Sequence, residues 1–167
     1  MGEEVTLHSP ALLDDTHVLD VFASGVASLD EWLKRRARAN QAGGASRTYV
    51  VAEETRVIAY YSLASSNIAI REASGRFRRN MPDPVPVVTL ARLAVDREFQ
   101  NRGLGRDLVQ DAAKRVIAAA DIIGIRGMIV HAISEEAKVF YLRRGFLQSP
   151  TSDMTLMISL TDLRASL

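Results

Sequence analysis

Residues 95–106 have the composition of an anion-binding turn at the start of a helix. They read Val-Asp-Arg-Glu-Phe-Gln-Asn-Arg-Gly-Leu-Gly-Arg and lie between an apolar stretch that predicts a strand and a periodic stretch that predicts a helix. The first amides of a helix have no intrahelical partner, and the helix dipole adds partial positive charge there. Gly103 and Gly105 let a ligand approach the backbone, and Arg102 and Arg106 can neutralise its charge. The turn therefore predicts a phosphate or pyrophosphate ligand.

The glycine spacing distinguishes this turn from two other phosphate-binding motifs. It has no third glycine for a dinucleotide fingerprint and no Gly-Lys-Ser/Thr for a P-loop. Two glycines at a helix start also fit a tight turn with no ligand. The remaining pattern, Gln-x-x-Gly-x-Gly after a predicted strand, resembles the acetyl-CoA pyrophosphate loop of the GNAT acetyltransferase family. The resemblance implies that acetyl-CoA contacts Gln100, Asn101, Arg102, Gly103, Leu104, Gly105 and Arg106.

A second segment, residues 134–146, resembles the GNAT helix that places a tyrosine beside the acetyl-CoA sulfur. An aromatic pair on an amphipathic helix also fits core packing, and we assign that role to Phe140. Tyr141 matches the family in its position relative to the glycine loop and to Gly145-Phe146, so the resemblance implies that it is the catalytic acid. A phenol with an ordinary pKa of about 10 stays protonated at neutral pH and can protonate a leaving thiolate.

The resemblance also assigns roles to the end of the strand before the glycine loop. In this family a backbone N–H at the splayed end of the fourth strand stabilises the oxyanion of the tetrahedral intermediate. That region is here Leu93, Ala94 and Val95, whose backbone is also expected to pair with the pantetheine arm. Many family members have an asparagine where this chain has Ser134.

The kind of amine that accepts the acetyl group can be predicted from whether the sequence contains a residue that could serve as a general base. His131 ends a predicted strand and is either a general base or a buried histidine with satisfied hydrogen bonds. No carboxylate stands out as a base. An α-amine, with a pKa of about 7.7–8.0, is partly neutral without help, whereas a lysine side chain near 10.4 is not. The sequence therefore favours an α-amine acceptor.

The pattern of elements predicts an α/β (α+β) fold over one domain, residues 1–167. We expect a mixed central sheet of about six strands with helices on both faces, which is also the element order of a GNAT domain. A capping-box sequence from Ser28 to Glu31 predicts a helix start, and Gly43-Gly44 predicts its end. Residues 71–86, with three prolines, predict a loop with a helical turn. Strands are predicted at 5–8, 47–53, 56–65, 87–95, 126–133 and 154–160, and helices at 14–23, 28–41, 104–119 and 135–144.

Composition excludes several classes of protein. The chain has no cysteine, so it has no disulfide, thiolate metal site or thiol nucleophile, and its three histidines lack metal-ligand spacing. We therefore predict no metal. No apolar run reaches the roughly 20 residues of a membrane span, and the acidic N-terminus is unlike a signal peptide. A cytoplasmic location is the resulting expectation.

Basic residues are clustered although the net charge is only +1. Between Lys34 and Arg47 there are five basic residues and no acidic one, and between Arg71 and Arg79 there are four arginines against Glu72. Such runs are either solvated faces or a surface that holds a polyanion.

Residues 25–50 and 91–96 look like the GNAT toxins of bacterial toxin–antitoxin systems. That resemblance implies acetylation of the α-amine on aminoacyl-tRNA, a block of translation, a ribbon-helix-helix antitoxin and a homodimer. The alternatives are an ordinary GNAT enzyme that acetylates a small amine or a protein N-terminus, and a binding module without turnover. If the protein is such a toxin, we expect the acceptor stem of the tRNA to contact a set of basic residues, namely Lys34, Arg35, Arg36, Arg38, Arg76, Arg78, Arg79 and Arg92.

Overall fold

The computed structural model describes residues 7–167, which contain seven strands in one mixed sheet of order β1-β2-β3-β4-β5-β7-β6. This confirms the α/β class, with two strands of only two residues, β1 and β6, among the seven. The strands are β1 (Ala11–Leu12), β2 (Arg47–Glu53), β3 (Arg56–Ile68), β4 (Val85–Val95), β5 (Gly127–His131), β6 (Leu147–Gln148) and β7 (Thr155–Ser159). The helices are α1 (Ala27–Arg35), α2 (Ala37–Ala42), α3 (Gly75–Arg78), α4 (Leu104–Ala120), α5 (Glu135–Leu142) and α6 (Leu160–Ser166).

The first of two compact units comprises the described residues up to Leu63 together with Arg92–Asp111. In it β1, β2 and β3 pair antiparallel, and β2 and β3 form the predicted hairpin, with Glu53 opposite Arg56. Glu54 makes the turn with a φ of 56°. The core of this unit contains Phe22, which precedes α1, together with residues of α1 and of the hairpin, among them Leu29, Trp32, Leu33, Val50, Val57 and Tyr60.

The second unit comprises Ala64–Ala91 and Ala112–Leu167. In it β4 pairs parallel with β5, and β7 pairs antiparallel with both β5 and β6. Phe77 of α3 packs into a core with Val87, Ile129 and Met157. None of the helices within residues 7–167 is long and apolar enough to cross a membrane.

The predicted helix at 14–23 is wrong. The Asp14 carboxylate accepts hydrogen bonds from the amide and the hydroxyl of Thr16 at 2.8 and 2.5 Å, which forms a local turn that competes with a helix. Val18 is extended and forms an isolated bridge with Arg56. The predicted strand at 5–8 lies partly outside the described residues, and Leu7 and His8 are not in a strand.

The predicted capping box is also wrong. α1 begins at Ala27 after Val26, which supplies no side-chain cap, so Ser28 lies inside the helix. Glu31 pairs instead with Arg35, one turn later, at 2.7 Å. The helix predicted to run on to about residue 41 is interrupted at Arg36, which separates α1 from α2.

The strand after the loop predicted at residues 71–86 begins two residues before residue 87, where it was predicted to begin. Residues 70–72 form a short 3-10 turn, α3 follows, and β4 already begins at Val85. Pro86 therefore lies within β4, near its start, and its carbonyl accepts a hydrogen bond from the Arg126 amide at 2.8 Å. A proline is tolerated at the start of a strand because the missing N–H is not needed there.

Gly127 in β5 has no room for a side chain, and we expect Gly127→Ala to lower the free energy of unfolding by about 3 kcal/mol. An added Cβ would lie 2.1 Å from the Ile158 carbonyl oxygen and 2.9 Å from the Phe77 ring. Unfolding in urea measures the loss. Gly124→Ala is the control, because a Cβ there meets nothing within 4 Å. Equal stability of the two variants would contradict the prediction.

Candidate active site

Asp96, which begins the turn between β4 and α4, is only 2% exposed. Its carboxylate accepts hydrogen bonds from the amides of Glu98 at 3.0 Å and Ala23 at 3.1 Å. The same carboxylate lies 3.6 Å from the guanidinium of Arg56, and the Asp96 amide donates to the Ile58 carbonyl at 2.8 Å. A buried carboxylate is tolerated only where its oxygens are paired. These contacts of the Asp96 carboxylate therefore fix the path of the backbone at the start of the turn.

Two residues of this turn adopt left-handed backbone conformations. The φ angles are 65° at Asn101 and 82° at Gly103, a region that glycine adopts freely and asparagine more readily than most residues. α4 then begins at Leu104 and continues for 17 residues. The Gly103 carbonyl accepts from the Asp107 amide at 3.1 Å, so the preceding amides of the first turn have no helical acceptor. This is the strand–turn–helix geometry that anion binding requires.

The two arginines of the turn are exposed. The Arg102 guanidinium lies 5.2 Å from the centroid of the Phe99 ring, a cation–π distance. The Arg106 guanidinium lies 3.8 Å from the Asp107 carboxylate, and one of its nitrogens is 3.2 Å from the position that a Cβ on Gly103 would occupy. Both side chains are thus exposed beside the α4 N-terminus, and Arg106 shares its charge with Asp107.

The Gln100 side chain serves the framework of the turn. Its amide nitrogen donates to the carbonyl of Ser24 at 2.7 Å and to the carbonyl of Val95 at 2.9 Å. The predicted cofactor contact of Gln100 would therefore come from its backbone, since its side-chain donors are already used.

The end of β4 has backbone beyond its ladder with β5. The parallel pairing involves Val88 and Thr89, opposite Met128 and Ile129, whereas β4 continues to Val95. Ala94 is buried, and Leu93 and Val95 are half-buried. The roles assigned to these residues, oxyanion stabilisation and pairing with pantetheine, stay predictions.

Tyr141 lies in an aromatic cluster at the end of α5 and is 6% exposed. Its ring meets Phe140 edge-on at a centroid distance of 5.1 Å and Phe146 at 5.4 Å. Burial raises the pKa of the Tyr141 hydroxyl above its ordinary value, so the phenol stays protonated at neutral pH. The residue thus has the packing of a core side chain and the protonation state that a general acid needs.

The two polar residues before α5 have defined local partners. Ser134 is the N-cap of α5, and its hydroxyl accepts from the Ala137 amide at 3.1 Å. His131 ends β5 and is exposed, with Nδ1 3.0 Å from the hydroxyl of Thr155. The expectation of a buried histidine is therefore wrong, because His131 lies at the strand end where its side chain reaches solvent.

The basic residues of the first unit divide into fixed and free side chains. The Arg92 guanidinium stacks over Trp32, 4.2 Å from the ring centroid. Arg38 donates to the carbonyls of Asp14 and His17 at 3.2 and 2.5 Å, which makes it a structural residue of this loop. Arg35 is paired with Glu31 at 2.7 Å. Lys34 and Arg36 are exposed and make no side-chain hydrogen bond or ion pair within the described part of the chain.

The basic residues of the second unit divide in the same way. Arg76 is paired with Asp162 at 2.7 Å. Arg126 fixes α3 by donating to the carbonyls of Phe77 and Arg76 at 2.7 and 2.9 Å. Arg78 and Arg79 are exposed, and among residues 7–167 their side chains have no hydrogen-bond or ion-pair partner.

Sequence reasoning missed Asp96 and Asp30 as organising residues. Asp96 is the N-cap of the 3-10 turn Arg97–Phe99, and aspartate before such a turn is the signal that could have identified it. Asp30 binds the backbone before α1, and no local pattern predicts that contact.

Within residues 7–167 no three His, Asp or Glu side chains are grouped as a metal site would require.

Known proteins resemble this chain in both sequence and structure. Residues 44–148 match the acetyltransferase (GNAT) domain. The chain is 48% identical over 157 residues to a tRNA-acetylating toxin of Mycobacterium tuberculosis, covering 94% of this chain and 95% of that protein. AtaT complexed with acetyl-methionyl-tRNAfMet has a TM-score of 0.88 at 27% identity, covering 96% of this chain and 98% of that one. A tyrosine-to-phenylalanine mutant of AtaT, bound to the C-terminus of the antitoxin AtaR and acetyl-CoA, has a TM-score of 0.82 at 26% identity, covering 96% and 97%.

Proposed function

This chain belongs to the GNAT acetyltransferase family, and from that membership we propose that it is a toxin that acetylates the α-amine of the amino acid on charged tRNA. The observation that carries the proposal is the 48% identity, over 94% of the chain, to a tRNA-acetylating toxin. The AtaT structure with acetyl-methionyl-tRNAfMet supports the same substrate class, at 27% identity. Acetylation of that amine blocks its use in peptide-bond formation, so translation stops.

The reaction needs a bound thioester, a neutral amine and a proton for the leaving sulfur. The amine nitrogen attacks the thioester carbonyl, a C–N bond forms, and the C–S bond then breaks to release CoA as a thiolate. The proton that the product nitrogen loses balances the proton that the sulfur gains. An α-amine with a pKa of about 7.7–8.0 is partly neutral near pH 7.5, so this acceptor needs little base catalysis.

We assign the residues of this chain as follows. The backbone amides at the start of α4 bind the pyrophosphate of acetyl-CoA, with Arg102 and Arg106 as counter-charges. The backbone of Leu93–Val95 stabilises the oxyanion. Tyr141 donates its hydroxyl proton to the thiolate. Burial raises the pKa of this hydroxyl, so the proton is present at neutral pH.

The tRNA phosphates are assigned to arginine and lysine side chains that the protein itself leaves unpaired. Lys34, Arg36, Arg78 and Arg79 meet that condition within the described residues, whereas Arg35, Arg38 and Arg76 have protein partners. Arg92, stacked on Trp32, offers a pre-oriented guanidinium.

The ribbon-helix-helix antitoxin is proposed as the protein partner, supported by the AtaT structure that contains AtaR. A cytoplasmic location follows from the proposed substrate, and the homodimer stays a prediction.

Mixed charged tRNAs incubated with this protein and radiolabelled acetyl-CoA test the proposal directly. The expected product is aminoacyl-tRNA with label on the amino-acid nitrogen. A parallel reaction supplies a polyamine and a peptide with a free N-terminus as acceptors. Transfer to either of those acceptors, without transfer to any charged tRNA, would replace the proposal with the ordinary GNAT alternative.

Charge reversal at two free arginines should weaken tRNA use selectively. We expect Arg78→Glu with Arg79→Glu to lower kcat/KM for charged tRNA by about 30-fold or more, because each phosphate contact contributes on the order of 1 kcal/mol or more. The KM for acetyl-CoA should change little. The dependence of tRNA binding on salt should also become shallower.

The matched control changes the net charge equally at exposed positions outside the assigned site. Arg47→Glu with Lys114→Glu serves, since both side chains are exposed. If the control pair loses as much tRNA activity as the Arg78/Arg79 pair, the effect comes from net charge and the assigned contact is wrong.

A further inference from the structure

The segment Ala23–Ser24 is held by the turn that precedes α4. The Ala23 amide donates to the Asp96 carboxylate at 3.1 Å, and the Ala23 carbonyl accepts from the Arg97 amide at 2.9 Å. The Ser24 carbonyl accepts from the Gln100 side chain at 2.7 Å. Three of the backbone polar groups of this segment are therefore bound by residues 96–100, which lead into the acetyl-CoA loop.

The remaining amide of the segment is bound by α1. The Ser24 amide and hydroxyl both donate to the Asp30 carboxylate, at 3.0 and 2.6 Å. The Ser24 hydroxyl in turn accepts from the amide of Val26 at 3.1 Å, and Val26 is the N-cap residue of α1 that supplies no side-chain cap. The first turn of α1 is therefore positioned by Ser24, which the turn before α4 holds in place.

The next residue, Gly25, fixes the close approach of the two parts. Its φ is 98°, and a Cβ there would lie 3.2 Å from Nε of Arg97. A side chain at this position would strain the backbone and press on the Arg97 guanidinium. The segment thus packs tightly against the turn as well as being hydrogen-bonded to it.

We propose that Ala23–Gly25 couples the two substrates, so that acetyl-CoA bound at the turn strengthens tRNA binding through α1, with Gln100 as the positioning residue. This inference rests on the proposed function, because α1 carries Lys34 and positions Trp32 under Arg92. A ligand that orders the turn also orders the segment, so the second ligand loses less conformational entropy on binding. Thermodynamic linkage requires the effect to be reciprocal.

Binding of deacylated total tRNA to the full chain, measured by fluorescence anisotropy with and without saturating CoA, tests the coupling. CoA carries no acetyl group, so no reaction occurs. For the parent protein we expect CoA to tighten tRNA binding on the order of fivefold or more. In Gln100→Ala and in Asp30→Ala this factor should fall to about one. Asp30→Ala should leave the affinity for CoA alone unchanged, because Asp30 contacts Ser24 and not the turn.

The controls separate positioning from misfolding. Gln110→Ala makes the same substitution at an exposed position of α4 and should keep the parental factor. Gln100→Glu keeps the side-chain length but replaces the amide donor with an acceptor, and should lose the coupling as Gln100→Ala does. Thermal unfolding of each variant verifies that it is folded at the assay temperature.

Two results would overturn the inference, namely a parent protein whose tRNA affinity does not respond to CoA and a Gln100→Ala variant that keeps the full response. Either result can occur while the parent still acetylates charged tRNA, in which case the proposed function stands. Failure of acetylation on every charged tRNA would instead refute the proposed function.

Discussion

Replacing Tyr141 with phenylalanine is expected to lower kcat for acetyl transfer to charged tRNA by about 100- to 10,000-fold, the range that a positioned proton donor contributes. The substitution removes only the hydroxyl, so the contacts of the ring with Phe140 and Phe146 are retained. Affinity for acetyl-CoA should be nearly unchanged. Single-turnover kinetics together with isothermal titration of acetyl-CoA measure the two quantities separately.

Tyr60→Phe is the matched control, because Tyr60 is also buried and also has a raised pKa, caused mainly by burial. Its hydroxyl donates to the Leu29 carbonyl at 2.6 Å, so its loss should cost about 1 kcal/mol of stability without removing a proton donor from the reaction. A Tyr141→Phe enzyme within a few-fold of the parent would show that another group protonates the sulfur.

The same assignment constrains the pH dependence of the parent rate. The acceptor must be neutral, so the rate should rise as pH increases through about 7.7–8.0, the pKa of an α-amine. Burial raises the pKa of Tyr141, so its proton is retained at higher pH than that of an exposed tyrosine. The rate should therefore show no alkaline decline up to about pH 10.

Replacing Gly103 with valine is expected to raise the KM for acetyl-CoA by about 100-fold, which corresponds to the loss of about two charge-assisted hydrogen bonds to phosphate. The φ of 82° at Gly103 disfavours any side chain, most of all a β-branched one. The new side chain would also stand beside the α4 N-terminus, where its Cβ would lie 3.2 Å from the Arg106 guanidinium. The KM is measured at saturating charged tRNA.

Gly44→Val separates backbone strain from loss of the anion site. Gly44 has the same φ of 82°, and a Cβ there meets nothing within 4 Å. Both variants should lose similar stability, of about 1–2 kcal/mol, but only Gly103→Val should raise the KM for acetyl-CoA. Equal KM values in the two variants would exclude the turn before α4 as the pyrophosphate site.

Elements with strong local patterns were predictable from sequence. The strand, turn and helix around Gly103 follow from an apolar run, a glycine pair and helical periodicity, each of which acts over a few residues. The hairpin of β2 and β3 is predictable for the same reason. β1 and β6 were missed because two residues carry too little pattern to mark a strand.

Elements that depend on distant partners were predicted wrongly. The predicted helix at 14–23 is absent because Val18 pairs with Arg56 and Asp14 bonds locally to Thr16. The predicted capping box is wrong because the start of α1 is organised by a different carboxylate, that of Asp30, which accepts a hydrogen bond from the Ser24 hydroxyl. Local propensity is a weak guide wherever a tertiary hydrogen bond offers the backbone a better partner.

The sequence by itself determined the chemical class of this protein, because a glycine-paired turn before a helix and a tyrosine-bearing helix are recognisable from residue types at short spacing. Only the tertiary structure decided which polar side chains are committed to the framework and which are free for substrates. Ala23 and Asp96 are 73 residues apart in the chain, yet they share a hydrogen bond. Arg38 and Arg78 belong to equally basic runs, but Arg38 caps backbone carbonyls while Arg78 faces solvent. The physical reason is that a hydrogen bond depends on the folded path that brings donor and acceptor together, which short-range spacing does not encode.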